Sequence, residues 1–383
     1  MSLTSIELRL FRNIEHQALE LRPGLNIFRG PNGQGKTNLI EAVFMLTHGK
    51  SFRTTDNSQL IKRNAEGFKV SGHFHWKNLS HNVEIFVHKG RKKMSINGKP
   101  ISSTLLRARL PSVLFSPESL MIVKGPAQKR RELIDDVCTS VYPEYAPLFL
   151  DCGRILRQKS SLLKQLKEGA VSMGQGEILL RDLSHMLFEK SAILCEYRLR
   201  AIEEMGPLLL AEFLSIMDEH YGDLSIDYVI SGNSALAYNR EHLRNAMYKR
   251  WLQLKDRELS SGLCLVGPHK HDVHFYFNGH DARFFCSQGQ QRAIILAFKM
   301  AHIRLHYAVH MHFPILLLDD VLSELDREKQ ERFMKYLVGS QSQIFLTTTD
   351  ASPLPEVTAS SVFEVENGRF TEGVMVSPGG LSV

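Results

Sequence analysis

A glycine-rich loop near the start of the chain constrains the fold more than any other stretch. Residues 30–37 read GPNGQGKT, which fits the pattern G-x-x-x-x-G-K-[ST]. The apolar residues 25–28 predict a short buried strand before the loop, and apolar residues at helical spacing from residue 39 predict a helix after it. This order of strand, loop and helix distinguishes a phosphate-binding loop from an ordinary glycine-rich turn.

The residue types of the loop predict how it holds a nucleotide. Glycines allow positive φ angles and a close approach of the backbone to an anion, and the helix that follows adds free N–H groups and a positive dipole end. We expect Lys36 to reach the β- and γ-phosphates of ATP and the Thr37 hydroxyl to bind Mg²⁺. The predicted nucleotide-binding residues are Gly30, Pro31, Asn32, Gly33, Gln34, Gly35, Lys36, Thr37 and Asn38.

An acidic motif, FPILLLDDVLSELD, occupies residues 313–326. Its apolar run at 315–318 is typical of a parallel strand that is covered on both faces. Asp319 then lies at the carboxyl end of that strand, where open α/β sheets bind ligands. We expect Asp319 to hold Mg²⁺ and Asp320 to orient or activate the attacking water. The alternative, a pair of aspartates in a turn or helix cap, does not explain the apolar run.

The distance between the two motifs predicts how the chain is organised. Lys36 and Asp319 lie 283 positions apart (319 minus 36), whereas a compact GTPase or small kinase holds both motifs within one short domain. We therefore expect an α/β protein in which an ABC-type P-loop ATPase head is built from both chain ends, residues 1–115 and 263–383. Residues 116–262 would form an inserted, mainly helical second lobe.

A third motif lies between these two and also predicts a nucleotide contact. Residues 287–291 read SQGQQ, and Ser287 is a good N-cap for the amphipathic helix that follows. The motif resembles the ABC signature, which contacts the nucleotide of the opposite protomer through a helix N-terminus. The stretch SELD at 323–326 resembles the D-loop that crosses the dimer interface. The residues expected to contact nucleotide in trans are Ser287, Gln288, Gly289, Gln290 and Asp326.

Nearly end to end, the chain resembles the RecF family of bacterial recombination-mediator ATPases. The segments that carry the resemblance are LRLFRNIE, GPNGQGKTNLIEAV, KSFRT, LFSPESLMIVKGPAQKRRELID, RILRQKSSLLK, GPHKHDVHFYFNG, SQGQQRAIILAFKMA and ILLLDDVLSELD. The resemblance implies a homodimer that forms on DNA with ATP and is reset by slow, DNA-dependent hydrolysis. It also implies action with RecR and RecO at single-strand gaps, where RecA is loaded during repair and the SOS response.

Four departures from related patterns bear on the rate of hydrolysis. The signature lacks the double glycine of transporters, and His271 stands where an acid is expected. After the QIFLTTTD strand, no histidine occupies the position that contacts the γ-phosphate in many ABC ATPases, so either Thr347 to Thr349 or Asp350 serves there or no residue does. No Q-loop glutamine occurs near residue 116, where Glu118 is a possible substitute. These departures favour a slow hydrolase. They leave open an ATP-binding architectural DNA dimer without significant turnover, or another ABC-type ATPase subunit.

The charge of the chain favours a polyanionic partner. The net charge is +6 and the isoelectric point is about 9.0. The segment VHKGRKKMSINGKP predicts a β-hairpin with its turn at Asn97-Gly98, whose basic edge is a candidate DNA-binding surface. Arg53 is a candidate for either nucleotide or DNA. The candidate DNA-binding residues are Arg53, Lys62, Arg63, Arg91, Lys92 and Lys93.

Other classes of protein are disfavoured by what the chain lacks. No apolar run approaches the roughly 18 residues of a membrane span, and the N-terminal segment is charged, so we expect a cytoplasmic protein without membrane contact. Five scattered cysteines predict neither a disulfide framework nor a zinc site. We expect His302, His306 and His310 to form an exposed helix face, and Gly206-Pro207 to end or kink a helix.

Overall fold

The computed structural model describes residues 1–76, 79–217, 222–349 and 360–373. Its strands are β1 (Ser2–Phe11), β2 (Ile14–Glu20), β3 (Leu25–Arg29), β4 (Gly67–Trp76), β5 (Leu79–His88), β6 (Arg91–Ile96), β7 (Lys99–Pro100), β8 (Ser112–Phe115), β9 (Leu224–Ile230), β10 (Asn233–Ser234), β11 (Asp272–Phe277), β12 (His280–Asp281), β13 (Ile315–Leu318), β14 (Ile344–Thr348), β15 (Ser361–Glu366) and β16 (Arg369–Glu372). Its helices are α1 (Lys36–His48), α2 (Ser103–Arg109), α3 (Pro117–Leu120), α4 (Ala127–Val141), α5 (Tyr145–Lys167), α6 (Met173–Met217), α7 (Arg240–Ser261), α8 (Ala282–Phe285), α9 (Gln288–His310) and α10 (Arg327–Gly339).

The chain divides into two units that are each compact. The first contains the described residues of 1–120, 215–218 and 302–383, and the second those of 121–214 and 219–301. Both chain ends therefore contribute to the first unit, as the spacing of the motifs predicts.

The first unit contains two sheets, with helix α1 packed against both of them. One sheet has the order β2-β1-β4-β5-β6-β7 and is antiparallel, and the other has the order β16-β15-β3-β14-β13-β8 and is parallel except for β16. Helix α1 contacts strands of both sheets, and every residue from Leu39 to His48 is buried. A helix buried on all sides needs apolar residues all round, which explains the weak amphipathic pattern of this segment. The predicted α/β class is confirmed.

The central parallel strand is locked to its neighbours by aromatic rings. Phe28 of β3 is fully buried and stacks on Phe345 of β14 and Phe363 of β15, with ring centroids 6.2 and 5.1 Å away. Phe370 of β16 packs edge-on at 6.1 Å. Ring pairs in these arrangements contribute more to the stability of a fold than their buried apolar area alone would give. They therefore fix strands from the end of the chain beside the strand that leads into the phosphate loop.

The predicted basic hairpin is confirmed. Strands β6 and β7 pair around Asn97 and Gly98, whose φ angles of 50° and 76° are both left-handed. Two left-handed residues in a two-residue loop define the turn type that matches strand twist, and asparagine followed by glycine is its preferred sequence.

The second unit combines helices with a small sheet. It contains α4, α5, α7 and most of α6 together with strands in the order β10-β9-β11-β12, and α4 packs against β11. The prediction of a helical pattern through residue 262 is wrong at Leu224–Ile230, which forms β9 with every second residue well buried at its start. This short alternating stretch was missed beside much longer helical patterns. Residues 263–301, with the predicted signature, group with this unit.

Helix α6 continues for 45 residues and does not end at Pro207. Proline removes one backbone hydrogen bond, but Met205, Leu209 and Phe213 on either side are fully buried and hold the helix in place. Despite its length, α6 is not apolar enough to cross a membrane, and no other helix in the described ranges is both long and apolar enough.

A buried ion pair joins two helices of the second unit. Lys159 of α5 and Glu258 of α7 are fully buried, with 2.9 Å between Nζ and Oε2. Glu258 also accepts hydrogen bonds from Trp251 Nε1 at 3.1 Å and from the Leu265 amide at 2.6 Å. Because a buried charge is tolerated only when it is paired and hydrogen-bonded, this cluster fixes α5, α7 and the following loop together.

The aromatic cluster of β3 predicts a large, local loss of stability. Replacing Phe28 with alanine should lower the free energy of unfolding of the first unit by about 3–5 kcal/mol, because it leaves a cavity among three rings. Urea denaturation followed by circular dichroism measures the loss. Phe86 on β5 is 44% exposed, so Phe86→Ala is a matched control that should cost less than about 1 kcal/mol. Equal losses at the two positions would contradict this description of the core.

Candidate nucleotide-binding site

The glycine-rich loop joins β3 to α1, as predicted from the sequence. Gly30, Gly33 and Gly35 have φ angles of 155°, 80° and 118°. A side chain at Gly30 would place its Cβ 2.3 Å from the carbonyl oxygen of Val365, which excludes any larger residue. The glycines therefore allow both the strained backbone and the close packing of the loop.

The ammonium of Lys36 lies over the loop. Its Nζ donates hydrogen bonds to the carbonyl oxygens of Gly30 at 2.6 Å and Pro31 at 2.9 Å. Burial lowers the pKa of Lys36, while the carboxylates of Asp319 and Asp320 act in the opposite direction. A partly desolvated cation at the N-terminus of α1 fits the phosphates of a nucleotide.

The acidic strand brings its first aspartate to the same place. The Thr37 hydroxyl donates to Asp319 Oδ1 at 2.8 Å, across 282 positions of sequence, and the Thr347 hydroxyl donates to the same oxygen at 3.1 Å. Burial raises the pKa of Asp319 to about 6, with smaller contributions from Glu118 and Asp320, although both hydroxyl hydrogen bonds oppose the shift. A nearby cation would favour the ionised form of a buried carboxyl group such as this one.

The oxygen ligands of Thr37 and Asp319 suit Mg²⁺. This ion binds few protein groups and takes its remaining ligands from phosphates and water. In the described ranges, no group of three or more histidine, cysteine, aspartate or glutamate side chains can hold a metal ion by itself. The pair therefore fits a cation that arrives with a nucleotide better than a resident metal.

Asp320 adopts a left-handed backbone beyond the strand end. Its φ angle is 50°, its amide donates to Thr347 Oγ1 at 2.9 Å, and its carbonyl accepts from Ser323 Oγ at 2.7 Å. Such a conformation costs energy and is common at active sites. Residues 347–350 are the candidates for the position where many ABC ATPases carry a histidine. Thr347 is hydrogen-bonded to both aspartates and Thr349 is exposed, whereas Asp350 lies outside the described residues.

Two turns from opposite ends of the sequence hold the loop, and sequence reasoning missed them. Asn13 donates through Nδ2 to the Gln34 carbonyl at 3.0 Å and accepts from Asn38 Nδ2 at 2.8 Å. The Asn367 amide donates to Gln34 Oε1 at 2.7 Å, and the Gly368 amide donates to the Gln34 carbonyl at 2.8 Å. The Asn-Gly pair at 367–368 was a visible turn signal, but its partner was not.

A buried carboxylate on α1 positions two arginines near the loop. Glu41 is fully buried and accepts two hydrogen bonds from Arg12, at 2.9 and 2.8 Å. Arg53 Nη1 lies 3.8 Å from Glu41 and donates to Asn38 Oδ1 at 3.3 Å. Arg53 therefore lies beside the helix that begins in the phosphate loop, which favours the nucleotide among its two predicted ligands.

The predicted signature caps α9 with reciprocal hydrogen bonds. Ser287 Oγ accepts from the Gln290 amide at 3.2 Å, and Gln290 Oε1 accepts from the Ser287 amide at 2.8 Å. This capping box confirms the predicted N-cap, and Gln288 and Gly289 are exposed beside it. Asp326 caps α10 by accepting from the Lys329 amide at 3.0 Å, so its contact in trans stays a prediction.

The structure separates the basic residues of the hairpin. Arg91 and Lys93 are exposed on one face of β6, and strand alternation turns Lys92 to the other face. There Lys92 Nζ donates to the Gly49 carbonyl at 2.7 Å, and burial lowers the pKa of Lys92. Lys62 pairs with a glutamate, whereas Arg63 is exposed. Lys92 is therefore removed from the candidate DNA-binding surface.

The histidines behave differently from expectation. The predicted exposed face is wrong, because His302 and His306 are buried. Ile303 and Leu305 are buried as well, so the helix is covered on several sides here. His271, whose role was open, is fully buried, and its Nδ1 lies 2.8 Å from the Tyr228 hydroxyl. Burial holds the pKa of His271 well below its usual range, so this residue is a neutral part of the core.

The family model described as RecF/RecN/SMC N terminal domain matches residues 2–371. A protein named DNA replication and repair protein RecF from Pelotomaculum thermopropionicum is 34% identical over 388 residues, covering 97% of this chain and 100% of that protein. The protein of the same name from Staphylococcus carnosus is 35% identical, covering 91% and 93%.

Solved structures agree with these sequence relatives. The recombination mediator protein RecF-ATP of the RecFOR pathway has a TM-score of 0.86 at 29% identity, covering 97% of this chain and 99% of that one. RecF-ATPrS has a TM-score of 0.84 at 30% identity, covering 97% and 98%. An Smc head bound to the C-winged helix domain of ScpA has a TM-score of 0.55 at 15% identity, which shows a shared fold alone.

The raised pKa of Asp319 predicts a pH dependence of the nucleotide-free protein. Between pH 3.8 and about 6, folded Asp319 keeps a proton that the unfolded chain has lost. Stability from this carboxyl is therefore present at low pH and is lost as the pH rises through that window. Asp319→Asn should raise the free energy of unfolding at pH 7 by about 1–3 kcal/mol and change little at pH 4.

Thermal melts of both proteins from pH 4 to pH 8, without nucleotide, check this expectation. Asp326→Asn is the control, because Lys329 lowers the pKa of Asp326 and its replacement should not stabilise the protein at pH 7. An Asp319→Asn variant that melts below the wild type at pH 7 would show that the buried carboxylate is not a cost to the fold.

Proposed function

This chain belongs to the RecF/RecN/SMC N-terminal domain family and, within it, to the RecF proteins, and from this we propose that it is an ATP-dependent DNA-binding protein of replication and recombinational repair. The observation that carries the proposal is the hydrogen bond from Thr37 to Asp319. It joins the phosphate loop and the acidic strand from opposite ends of the sequence into one site. The likeness to solved RecF-ATP supports ATP as the nucleotide.

The residues of the loop would bind the triphosphate. Lys36 would transfer its hydrogen bonds from its own loop carbonyls to the β- and γ-phosphates, and the α1 N-terminus would direct its amides to the same oxygens. Thr37 and Asp319 would hold Mg²⁺, which neutralises charge on the phosphates when it is bound. Arg53 would add a positive charge from the Asn38 side.

Hydrolysis would be slow. Asp320 is the carboxylate available to orient the attacking water, and its left-handed backbone holds it beyond the end of β13. Thr347, in the place where many ABC ATPases carry a histidine, already bonds Asp319 and the Asp320 amide. With Asp320 as this carboxylate and no histidine after β14 in the sequence to assist it, the site supports a weak ATPase. In this proposal, DNA-dependent turnover resets the protein between rounds of binding.

A second copy would complete each nucleotide site. The exposed N-terminus of α9, with Ser287, Gln288, Gly289 and Gln290, can receive the γ-phosphate bound by the other copy. ATP would thereby hold two copies together on DNA. The family relationship supports a role with RecO and RecR at single-strand gaps, where the ATP-bound dimer would help RecA to load.

Two variants test the nucleotide-driven dimer. Lys36→Arg should weaken ATP-driven dimerisation or hydrolysis by roughly tenfold or more, because arginine does not reproduce the point contact of the lysine ammonium. Ser287→Arg should bind ATP normally but should not dimerise. Sedimentation velocity of each protein with no nucleotide, ATP or ADP, with and without gapped DNA, measures both effects.

The wild type should be a dimer with ATP, more so with gapped DNA, and a monomer with ADP. A Ser287→Arg variant that dimerises normally would overturn the contact in trans. A dimer that forms with ATP but shows no phosphate release would favour the architectural alternative without turnover.

The exposed basic face of β6 predicts an electrostatic contribution to DNA binding. Arg91→Gln together with Lys93→Gln should lower affinity and reduce the slope of log K against log salt by about 0.9 for each phosphate that the protein no longer neutralises. Lys92→Gln on the same strand is the control and should leave the slope unchanged, because its ammonium is bonded to Gly49. Fluorescence anisotropy with gapped DNA at several salt concentrations gives the slopes. An unchanged slope in the double variant would place DNA elsewhere.

A further inference from the structure

Two adjacent phenylalanines lie exposed directly before the signature helix. Phe284 is 74% exposed and Phe285 is 68% exposed, at the end of the short helix α8. Cys286 and Ser287 follow and lead into α9. One exposed apolar side chain is ordinary on a protein surface, but two neighbouring aromatic rings form a patch that is typical of an interaction site.

The turn that carries the rings is held from beneath. Asp281 caps α8 by accepting from the Arg283 amide at 3.0 Å, and its carboxylate also pairs with the Arg283 guanidinium at 2.6 Å. Gln291 of α9 is fully buried and donates through Nε2 to the carbonyls of Ala282 at 3.2 Å and Cys286 at 2.9 Å. Because both ends of the turn are bonded, the two rings are presented to solvent by a fixed backbone.

Charged groups of both signs lie beside the rings. The Arg283 guanidinium, which is paired with Asp281, lies 5.3 Å from the centre of the Phe284 ring, and Asp281 and Lys124 act on Cys286 in opposite directions. The N-terminus of α9 adds the positive end of its dipole. A fitting partner therefore presents an apolar surface to the two rings and a negative charge to the N-terminus of α9.

The nucleotide site of a second copy has that charge. Its triphosphate would lie beside the carboxylates of Asp319, Asp320 and Glu118. These three groups lie close enough together for Glu118 and Asp320 to raise the pKa of Asp319. Phe285 precedes Ser287 by two residues, so their Cα atoms lie within about 7 Å of each other. A protein surface that covers Ser287 therefore lies close to the phenylalanine pair.

We propose that Phe284 and Phe285 are the apolar anchor of the ATP-dependent homodimer and are covered by the second copy when its nucleotide meets Ser287. This inference rests on the proposed function, since it takes the dimer from there. Binding energy at protein interfaces is concentrated in a few buried aromatic and arginine side chains. In this proposal the dimer forms only when ATP is bound, and the two rings provide its hydrophobic contact.

The full-length double variant Phe284→Ala/Phe285→Ala tests the anchor. Sedimentation velocity over a concentration series with ATP should show a dimer dissociation constant raised by at least about tenfold. Binding of a fluorescent ATP analogue to the monomer and the melting temperature should be unchanged, because the phosphate loop is not altered. Leu263→Ala, at a leucine of the same unit that is 61% exposed, is the matched control and should dimerise like the wild type.

Each outcome decides the matter. A weakened dimer with intact ATP binding supports the anchor. A double variant that dimerises like the wild type overturns it, and a further loss of binding to gapped DNA in that variant would identify DNA as the occupant. A wild type that stays monomeric with ATP overturns the proposed dimer itself, which distinguishes that failure from failure of the anchor alone.

Discussion

The hydrogen bond between Thr37 and Asp319 is the constraint on which the site depends. It requires β13, β14 and β3 to lie side by side, and therefore requires the two ends of the sequence to share one parallel sheet. It also requires a carboxyl group to be buried at the end of β13, where water no longer stabilises its charge. Burying this charge lowers the stability of the nucleotide-free protein, and a cation bound together with phosphates at the same position would offset that loss.

Much of the site was predictable because it rests on local sequence patterns. The glycine pattern defined the loop, a continuous apolar run defined β13, an Asn-Gly pair defined the hairpin turn, and Ser287 defined the start of α9. Each of these signals reflects what neighbouring residues in the chain do to one another. The unit to which the signature segment 263–301 belongs was not predictable in this way. Its grouping with the second unit depends on packing between segments that are distant in the sequence.

Properties that depend on distant neighbours were harder to predict. Lys92 differs from Arg91 and Lys93 only in the face of the strand it occupies, and the sheet register determines that face. His302 and His306 lie at a spacing that is equally compatible with a solvent face, and only tertiary packing makes them buried. The bonds of Asn13 and Asn367 to Gln34 leave no sequence signature, because a backbone carbonyl accepts from any suitable donor and a backbone amide donates to any suitable acceptor.

The hydrogen bonds from Asn367 and Gly368 to Gln34 have a consequence for synthesis of the chain. Gln34 and Asn367 are separated by 333 positions, so the phosphate loop gains its second support only after nearly all of the described sequence has left the ribosome. Contacts this far apart in sequence form late and slowly, since a long segment must first be ordered. A truncated product would thus carry the complete glycine motif and still lack a rigid site. Protein that can compete for cellular nucleotide would then be protein in which residues 367–368 have already been synthesised.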